Sequence, residues 1–226
     1  MSAGPRSFAG GGPTDSILLT EAYLSIQGES TRAGLPCWFV RTARCNLRCR
    51  WCDSEFTFTG GTRRPLDEVV AEALASGAPT VEVTGGEPLL QRSVLPLMSR
   101  LCDAGRTVLL ETGGSLSVED VDPRVHRIVD LKCPGSGEER RNRWENLDSL
   151  TDRDEVKFVL ADRTDYEWAR DVVRTRLAGR PPVVLLSPVH GALDPADLAA
   201  WMLKDALPAR LNLQLHKFIW GDRRGV

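Results

Sequence analysis

The chain has 226 residues, 42% of them hydrophobic and 27% charged, enough to bury a core without disulfide staples. A net charge of −2 and a pI near 6.0 give no electrostatic case for nucleic acid as the main partner, and no apolar stretch reaches the roughly 18 residues of a membrane span. Residues 1–15 are rich in Gly, Pro and Ser, with no apolar run behind Arg6. They read as a disordered extension rather than a secretory leader, and the expected compartment is the cytoplasm.

Strand-like runs recur at residues 17–25, 37–41, 80–84, 107–111, 127–131, 155–160, 182–187 and 211–215. Helical patterns lie between several of them. Residues 66–75 place Leu66, Val69, Val70, Ala73 and Leu74 at helical spacing between Pro65 and Gly77, and 94–104 present Val94, Leu97, Met98 and Leu101 before Gly105. Residues 165–177 and 195–206 complete the set. Short apolar strands alternating with helices predict a parallel sheet with right-handed crossovers. Too few βα units are present for a closed ring, so the expected fold is α/β, an incomplete, open (β/α) barrel with a mostly parallel sheet. Residues 16–226 are expected to form one domain.

In such sheets ligands gather at the carboxyl ends of the strands. Four polar motifs directly follow predicted strands: Thr84-Gly85-Gly86-Glu87-Pro88, Glu111-Thr112-Gly113-Gly114, Asp130-Leu131-Lys132 and Ser187-Pro188-Val189-His190. They are expected to converge on one rim.

Of the six cysteines, three fall within eight residues, as Cys45-Asn46-Leu47-Arg48-Cys49-Arg50-Trp51-Cys52. A C-x3-C-x2-C loop wraps three thiolates around three corners of a [4Fe–4S] cubane and leaves the fourth iron without a protein ligand. That open iron is what S-adenosylmethionine (SAM) needs for chelation by its amino and carboxylate groups. A structural zinc site, with His126, His190 or His216 as fourth ligand, is the competing reading. Zinc sites usually use paired C-x2-C elements, and no second pair exists. Unrelated buried cysteines are the third reading, opposed by the tight spacing. No role is assigned to Cys37, Cys102 or Cys133; Cys102 falls on a helix core face.

The cysteine triplet, with aromatic Trp51 before its last member and Gly85-Gly86-Glu87-Pro88 after the next strand, resembles the radical SAM superfamily. Three further stretches narrow the likeness: Ser25-Ile26-Gln27-Gly28-Glu29, Phe39-Val40-Arg41, and Gln214-Leu215-His216-Lys217-Phe218-Ile219-Trp220 with the Val226 terminus. Together they are similar to the 7-carboxy-7-deazaguanine synthase family, from about Glu21 to the end of the chain. The resemblance implies conversion of 6-carboxy-5,6,7,8-tetrahydropterin to 7-carboxy-7-deazaguanine with loss of ammonia. It also implies catalytic use of SAM, a requirement for Mg²⁺, a flavodoxin- or ferredoxin-type reductant and a homodimer.

Residue by residue, the resemblance places Cys45, Cys49 and Cys52 on the cluster and Ser54 on Mg²⁺. For SAM it points to Trp51, Asp53, Gly86, Glu87, Asp130, Lys132, Ser136, Ser187, Pro188, Val189 and His190. For substrate it points to Ile26, Gln27, Gly28, Glu29, Arg41, Thr84, His216 and the carboxylate of Val226. The residues themselves support part of this. Arg41, at a strand end four residues before Cys45, offers a bidentate fork for a pterin carboxylate. Gln27 presents a donor and an acceptor to a pterin edge, and a lone hydroxyl at Ser54 suits an ion that keeps its waters. Ser30 and Arg44 stand where the family commonly has glycine, and Ser54 where threonine is commoner. A glycyl-radical-enzyme activase has the same cysteine spacing, but it should lack Arg41 and the His216-Lys217 tail. A non-catalytic iron–sulfur or zinc module would need no Gly-Gly-Glu-Pro.

Overall fold

A computed structural model describes residues 15–221 and 223–226. The expectation of disorder at the N-terminus therefore falls almost wholly outside the described residues. Nine strands form one sheet: β1 (Ser16–Ile26), β2 (Pro36–Thr42), β3 (Thr62–Pro65), β4 (Thr80–Gly85), β5 (Thr107–Thr112), β6 (His126–Asp130), β7 (Glu155–Leu160), β8 (Val183–Pro188) and β9 (Arg210–Leu211). Their spatial order is β3-β1-β2-β4-β5-β6-β7-β8-β9. From β2 to β9 every pairing is parallel, and β1 and β3 add an antiparallel edge. The sheet does not close, since β3 and β9 lie at opposite ends of the order.

Period-two alternation divides the strands into two faces. Val81, Val83, Val108, Leu110, Val129, Val156, Phe158, Val184 and Leu186 point outward, where helices cover them. These helices are α1 (Leu66–Ala75), α2 (Val94–Asp103), α3 (Arg163–Arg176) and α4 (Pro195–Lys204). They contribute Val69, Leu97, Met98, Tyr166, Ala169 and Leu198 to the same core. The opposite face carries Glu82, Thr84, Glu111, Asp130, Lys157 and Ser187 and lines a cavity. A register shift in β1 between Leu19 and Glu21 re-aims that strand. Ile17 and Leu19 join the core, while Glu21, Tyr23 and Ser25 reach the cavity.

Between β1 and β2 the chain crosses the amino end of the sheet. There the backbone N–H of Thr31 donates to Glu155 (3.1 Å) and Arg32 meets the His126 ring (3.1 Å). One expectation needs correcting. No strand runs over 211–215: β9 stops at Leu211, and a short helix, α5 (Leu215–Trp220), begins where the strand was to end. The Leu211, Leu213, Leu215 alternation imitates a strand. Instead, Asn212 and Gln214 turn inward to bond Ser187 Oγ (2.8 Å) and Glu29 (3.0 Å).

Candidate active site

The cysteine loop follows β2 without regular secondary structure, so backbone bonds from neighbouring segments fix it. Ala43 N–H donates to Leu18 O (3.0 Å), Arg44 N–H to Thr57 O (2.7 Å), and Arg50 N–H to Ser136 O (3.0 Å). Gly86 is part of the same clamp: a Cβ there would lie 2.1 Å from Arg44 O and 3.1 Å from Cys45 Cβ. The chain reaches this pose through a left-handed backbone at Arg44, φ 81°. Ser30, φ 65°, does the same in the loop after β1. The two positions at which the sequence departs from a family glycine are thus both in the region glycine favours.

Cys45, Cys49 and Cys52 line one cavity of about 670 Å³, in the range of small-molecule sites. Burial pushes all three thiols up, and the Lys132 charge pulls each of them down. Leu47 N–H points at Cys45 Sγ (3.4 Å), a donor aimed at sulfur. This donor set fits a [4Fe–4S] cluster: three partly desolvated thiols, a nearby cation and an open side facing the cavity. His126 is held at the far, amino end by Arg32 and by Arg153 O (3.0 Å), so it cannot complete a zinc site. Among the described residues no three His, Cys, Asp or Glu side chains gather around a single-ion site.

Trp51, Asp53, Ser54, Gly86, Asp130, Lys132 and Ser187 through His190 also line the cavity. Asp130 Oδ2 accepts from Lys132 Nζ (2.8 Å), while its buried Oδ1 has no partner. An orphaned carboxylate oxygen beside a glycine cradle suits a polar nucleoside, which the expected SAM site requires. Two expected SAM residues lie behind the wall. Glu87 is fully buried and accepts from Leu89 N–H (3.0 Å), Thr112 Oγ1 (2.8 Å) and Gly113 N–H (2.8 Å), so it fixes the ends of β4 and β5. Ser136 is buried with Oγ on Cys133 O (2.6 Å), and its own carbonyl holds Arg50.

At the other end of the cavity stand Ile26, Gln27, Gly28, Glu29, Arg41, Thr84, His216 and Val226. Gln27 is 3% exposed, and the protein occupies both ends of its amide: Oε1 accepts from Glu29 N–H (3.1 Å), and Nε2 donates to Glu82. Arg41 donates to Glu21 (2.9 Å) and Tyr23 (3.1 Å), so its fork is already half engaged. Gly28 leaves room for the His216 ring, whose Nδ1 would lie 2.1 Å from a Cβ. The tail folds back over this end of the cavity. Ser25 Oγ donates to Val226 O (2.5 Å), and Arg224 stacks on Phe56 (3.6 Å) and pairs with Glu21 (3.5 Å).

Sequence reasoning missed a buried ionic group between the two ends. Lys157, 5% exposed, touches Glu29 (3.0 Å), Glu111 and, at 4.0 Å, Asp130. Burial opposes its charge, but Glu111, Glu29 and Asp130 outweigh that and hold its pKa well above the ordinary value. Burial likewise raises the Glu111 carboxyl, yet Lys157 wins and its pKa is lowered. Among the described residues Glu82 has no cation in contact; burial and the Glu111 charge push it up to about 8. The two carboxyls are therefore driven to opposite protonation states at neutral pH. The signal was present in Val81-Glu82-Val83 and Val156-Lys157-Phe158, where a charge sits inside an otherwise apolar parallel strand.

The open, mostly parallel sheet with a three-cysteine loop at the carboxyl end of β2 defines a radical SAM enzyme. The Radical SAM superfamily model matches residues 39–132. In fold the chain is similar to the crystal structure of QueE from Escherichia coli, with TM-score 0.72 and 24% identity over 89% of this chain and 95% of that one. Two relatives are closer in sequence, both named 7-carboxy-7-deazaguanine synthase. That of Koribacter versatilis is 50% identical over 92% of this chain and 99% of the relative. That of Chlorobaculum tepidum is 48% identical over 92% and 96%. The chain belongs to the 7-carboxy-7-deazaguanine synthase family. The activase alternative is not favoured by these relatives.

Proposed function

We propose that the chain converts 6-carboxy-5,6,7,8-tetrahydropterin to 7-carboxy-7-deazaguanine, releasing ammonia, in queuosine or other 7-deazapurine biosynthesis. The observation that carries this reading is one cavity with a three-thiol wall at one end and a buried, oppositely charged set, Glu29, Glu111 and Lys157, at the other. Cys45, Cys49 and Cys52 would hold the [4Fe–4S] cluster, which together with SAM would supply one-electron radical chemistry at this end of the cavity. Gly86, Asp130, Lys132 and the Ser187–His190 segment bind SAM, with Trp51 and Asp53 beside them. Glu87 and Ser136 act from behind, by positioning the β5 end and the cysteine loop.

Glu29, Thr84, Arg41 and His216 face the pterin. Gln27 orients Glu29 through its backbone, and Val226 closes the mouth. Ser54, whose hydroxyl donates to Asp53 Oδ1 (2.9 Å), would offer Mg²⁺ one protein oxygen, which suits an ion that keeps most of its waters. Glu82, protonated at neutral pH, holds the Gln27 amide without adding a second negative charge beside Glu111. A cytoplasmic homodimer fed by a flavodoxin- or ferredoxin-type reductant completes the reading. No helix among the described residues is long and apolar enough to cross a membrane.

The test is an anaerobic assay of the reconstituted protein with dithionite, SAM, Mg²⁺ and the carboxypterin, read by mass spectrometry. A product lighter than substrate by one ammonia, with SAM not consumed in proportion, is expected. SAM cleavage without that product would sink the substrate assignment.

A further inference from the structure

Two guanidiniums share one carboxylate on the wall of the cavity. Glu21 and Arg41 are direct partners across the β1–β2 ladder, and Arg41 Nε donates to Glu21 Oε1 (2.9 Å). The other oxygen of that carboxylate, Oε2, pairs with Arg224 Nη2 (3.5 Å), which the tail carries in. Phe56 touches the same two cations: the Arg224 guanidinium lies 3.6 Å from its ring centroid and that of Arg41 5.9 Å. Arg41 is also fixed from the sheet, where its Nη2 donates to the Tyr23 hydroxyl oxygen (3.1 Å) and the Tyr23 ring stacks on Phe39 (5.3 Å). Glu21, Tyr23, Arg41, Phe56 and Arg224 all line the cavity. Asp205 also meets two arginines, Arg170 and Arg174, but none of these three residues does.

The group holds one anion for two cations. The Val226 terminus does not supply the missing charge: its oxygen accepts from Ser25 Oγ (2.5 Å), and among the described residues it is in no ion pair. The side chains of Glu21 and Arg41 are only 19% and 17% exposed, whereas that of Arg224 is 56% exposed. An ion pair so open at one partner adds little to stability, which leaves its place at the cavity to be explained. We propose that Arg224 is a specificity-determining residue that, with Arg41, clamps the carboxylate of the substrate, and that Glu21 is the positioning residue holding both guanidiniums ready. This rests on the carboxypterin reading above. Cations that already divide the two oxygens of one carboxylate stand at the separation a second carboxylate needs. The protein engages Arg41 through Nε and Nη2 and leaves its Nη1 hydrogens for a ligand. An incoming carboxylate balances the surplus charge, which a neutral pterin leaves uncompensated. Because Arg41 belongs to the sheet and Arg224 to the tail, the clamp is complete only with the tail folded down, so closure and carboxylate recognition are one event.

The test measures Kd on the full-length, cluster-loaded protein with SAM but no reductant, so that no turnover occurs. Two ligands are compared, 6-carboxytetrahydropterin and tetrahydropterin without the carboxylate. Arg224→Gln is expected to weaken the first about tenfold or more and to leave the second within about twofold. With dithionite added, KM for the carboxypterin should rise by a similar factor while kcat changes by less than about threefold. Arg224→Lys, which keeps the charge and loses the planar fork, should fall between Arg224→Gln and the wild type. Arg223→Gln removes a neighbouring cation that is in no ion pair among the described residues, and should change neither Kd. Cluster absorbance shows that each variant is folded, and Arg224→Lys carries the comparison if Arg224→Gln loses its cluster.

If Arg224 serves only to tie down the tail, Arg224→Gln weakens both ligands equally, and that result overturns the proposal. An unchanged Kd for the carboxypterin does so too. So does an equal effect of Arg223→Gln, which would mark a general field of positive charge in place of a clamp. A wild type that binds the two pterins equally sinks the carboxypterin reading and the clamp with it. Selectivity that is present in the wild type and survives in Arg224→Gln sinks the clamp alone.

Discussion

Replacing Lys157 by Met tests whether the ionic group at the centre of the cavity is built as described. Met keeps most of the side-chain length and removes the charge that Glu29, Glu111 and Asp130 share. Two of these carboxylates retain partners, Glu29 from Gln214 (3.0 Å) and Asp130 from Lys132 (2.8 Å). Among the described residues Glu111 keeps only the Thr84 hydroxyl (3.1 Å). Removing one partner of a buried pair typically costs about 3–5 kcal/mol, because the other charge stays desolvated. For a chain of this size each kcal/mol lowers Tm by about 2–4 °C, so a fall of about 6–20 °C is expected at pH 7.5. The sign of the pH dependence follows from Glu111. Its folded pKa is lowered from 4.5 in the wild type, so its stabilisation is present above that value and lost as pH falls through the folded one. Without Lys157, burial instead drives Glu111 to take up a proton, so the deficit should shrink from pH 7.5 towards pH 4.5. Chemical denaturation at several pH values measures this. A deficit below about 1 kcal/mol, or one that does not change with pH, would refute the reasoning; so would failure of Glu111→Gln to restore stability in the Lys157→Met background.

Glu82, with its pKa pushed up to about 8, holds a proton in the folded chain that the unfolded chain has released, so its contribution to stability falls as pH rises from about 4.5 to 8. Glu82→Gln should therefore gain on the wild type across that window, by up to about 1.4 kcal/mol per pH unit, and level off above it; a pH-independent difference in denaturation free energy would rule this out. Gly86→Ala puts a methyl 2.1 Å from Arg44 O, against backbone that other bonds already fix. The expected result is a reconstituted protein with less iron and sulfide per chain and a weakened cluster absorbance, since the loop must shift by more than the protein's close packing tolerates. Full cluster content would show that the loop has slack.

The fold was legible because the physics that builds it is periodic. Alternating apolar residues, Val81 and Val83 in β4 and Val156, Phe158 and Leu160 in β7, and the apolar stripes of α1 and α2 define strands, helices and their order. The cysteine loop was legible because ligand spacing along a short loop is itself the geometry. What escaped was structure without a period. β3, Thr-Arg-Arg-Pro, is an exposed edge strand with no apolar alternation, and α5 hides under an alternation of leucines. Glu87 and Ser136 look the same in sequence whether they face a ligand or stand behind the wall that faces it. Which of these holds depends on Thr112, Gly113 and Arg50, the residues that bond them, and those contacts exist only once the sheet has formed.

The missed ionic group follows a rule that can be argued from single strands. A parallel strand covered on both faces should be apolar throughout. β4 and β7 instead read Thr-Val-Glu-Val-Thr-Gly and Glu-Val-Lys-Phe-Val-Leu, with Val81 and Val83, or Val156, Phe158 and Leu160, at one parity and with Glu82 between two threonines, or Glu155 and Lys157 ahead of Val159, at the other. Only the apolar parity meets helices, so the inner parity must face something polar enough to compensate a charge. The neighbouring strands supply it: Glu111 on β5 and Asp130 on β6 lie between Glu82 and Lys157 in the sheet order. Charges of opposite sign on strands distant in sequence make sense in a parallel sheet only if its inner face is a site. That inference needs the strand order, which one sequence does not contain, but the parity argument alone already separates a cavity-lining strand from a core strand.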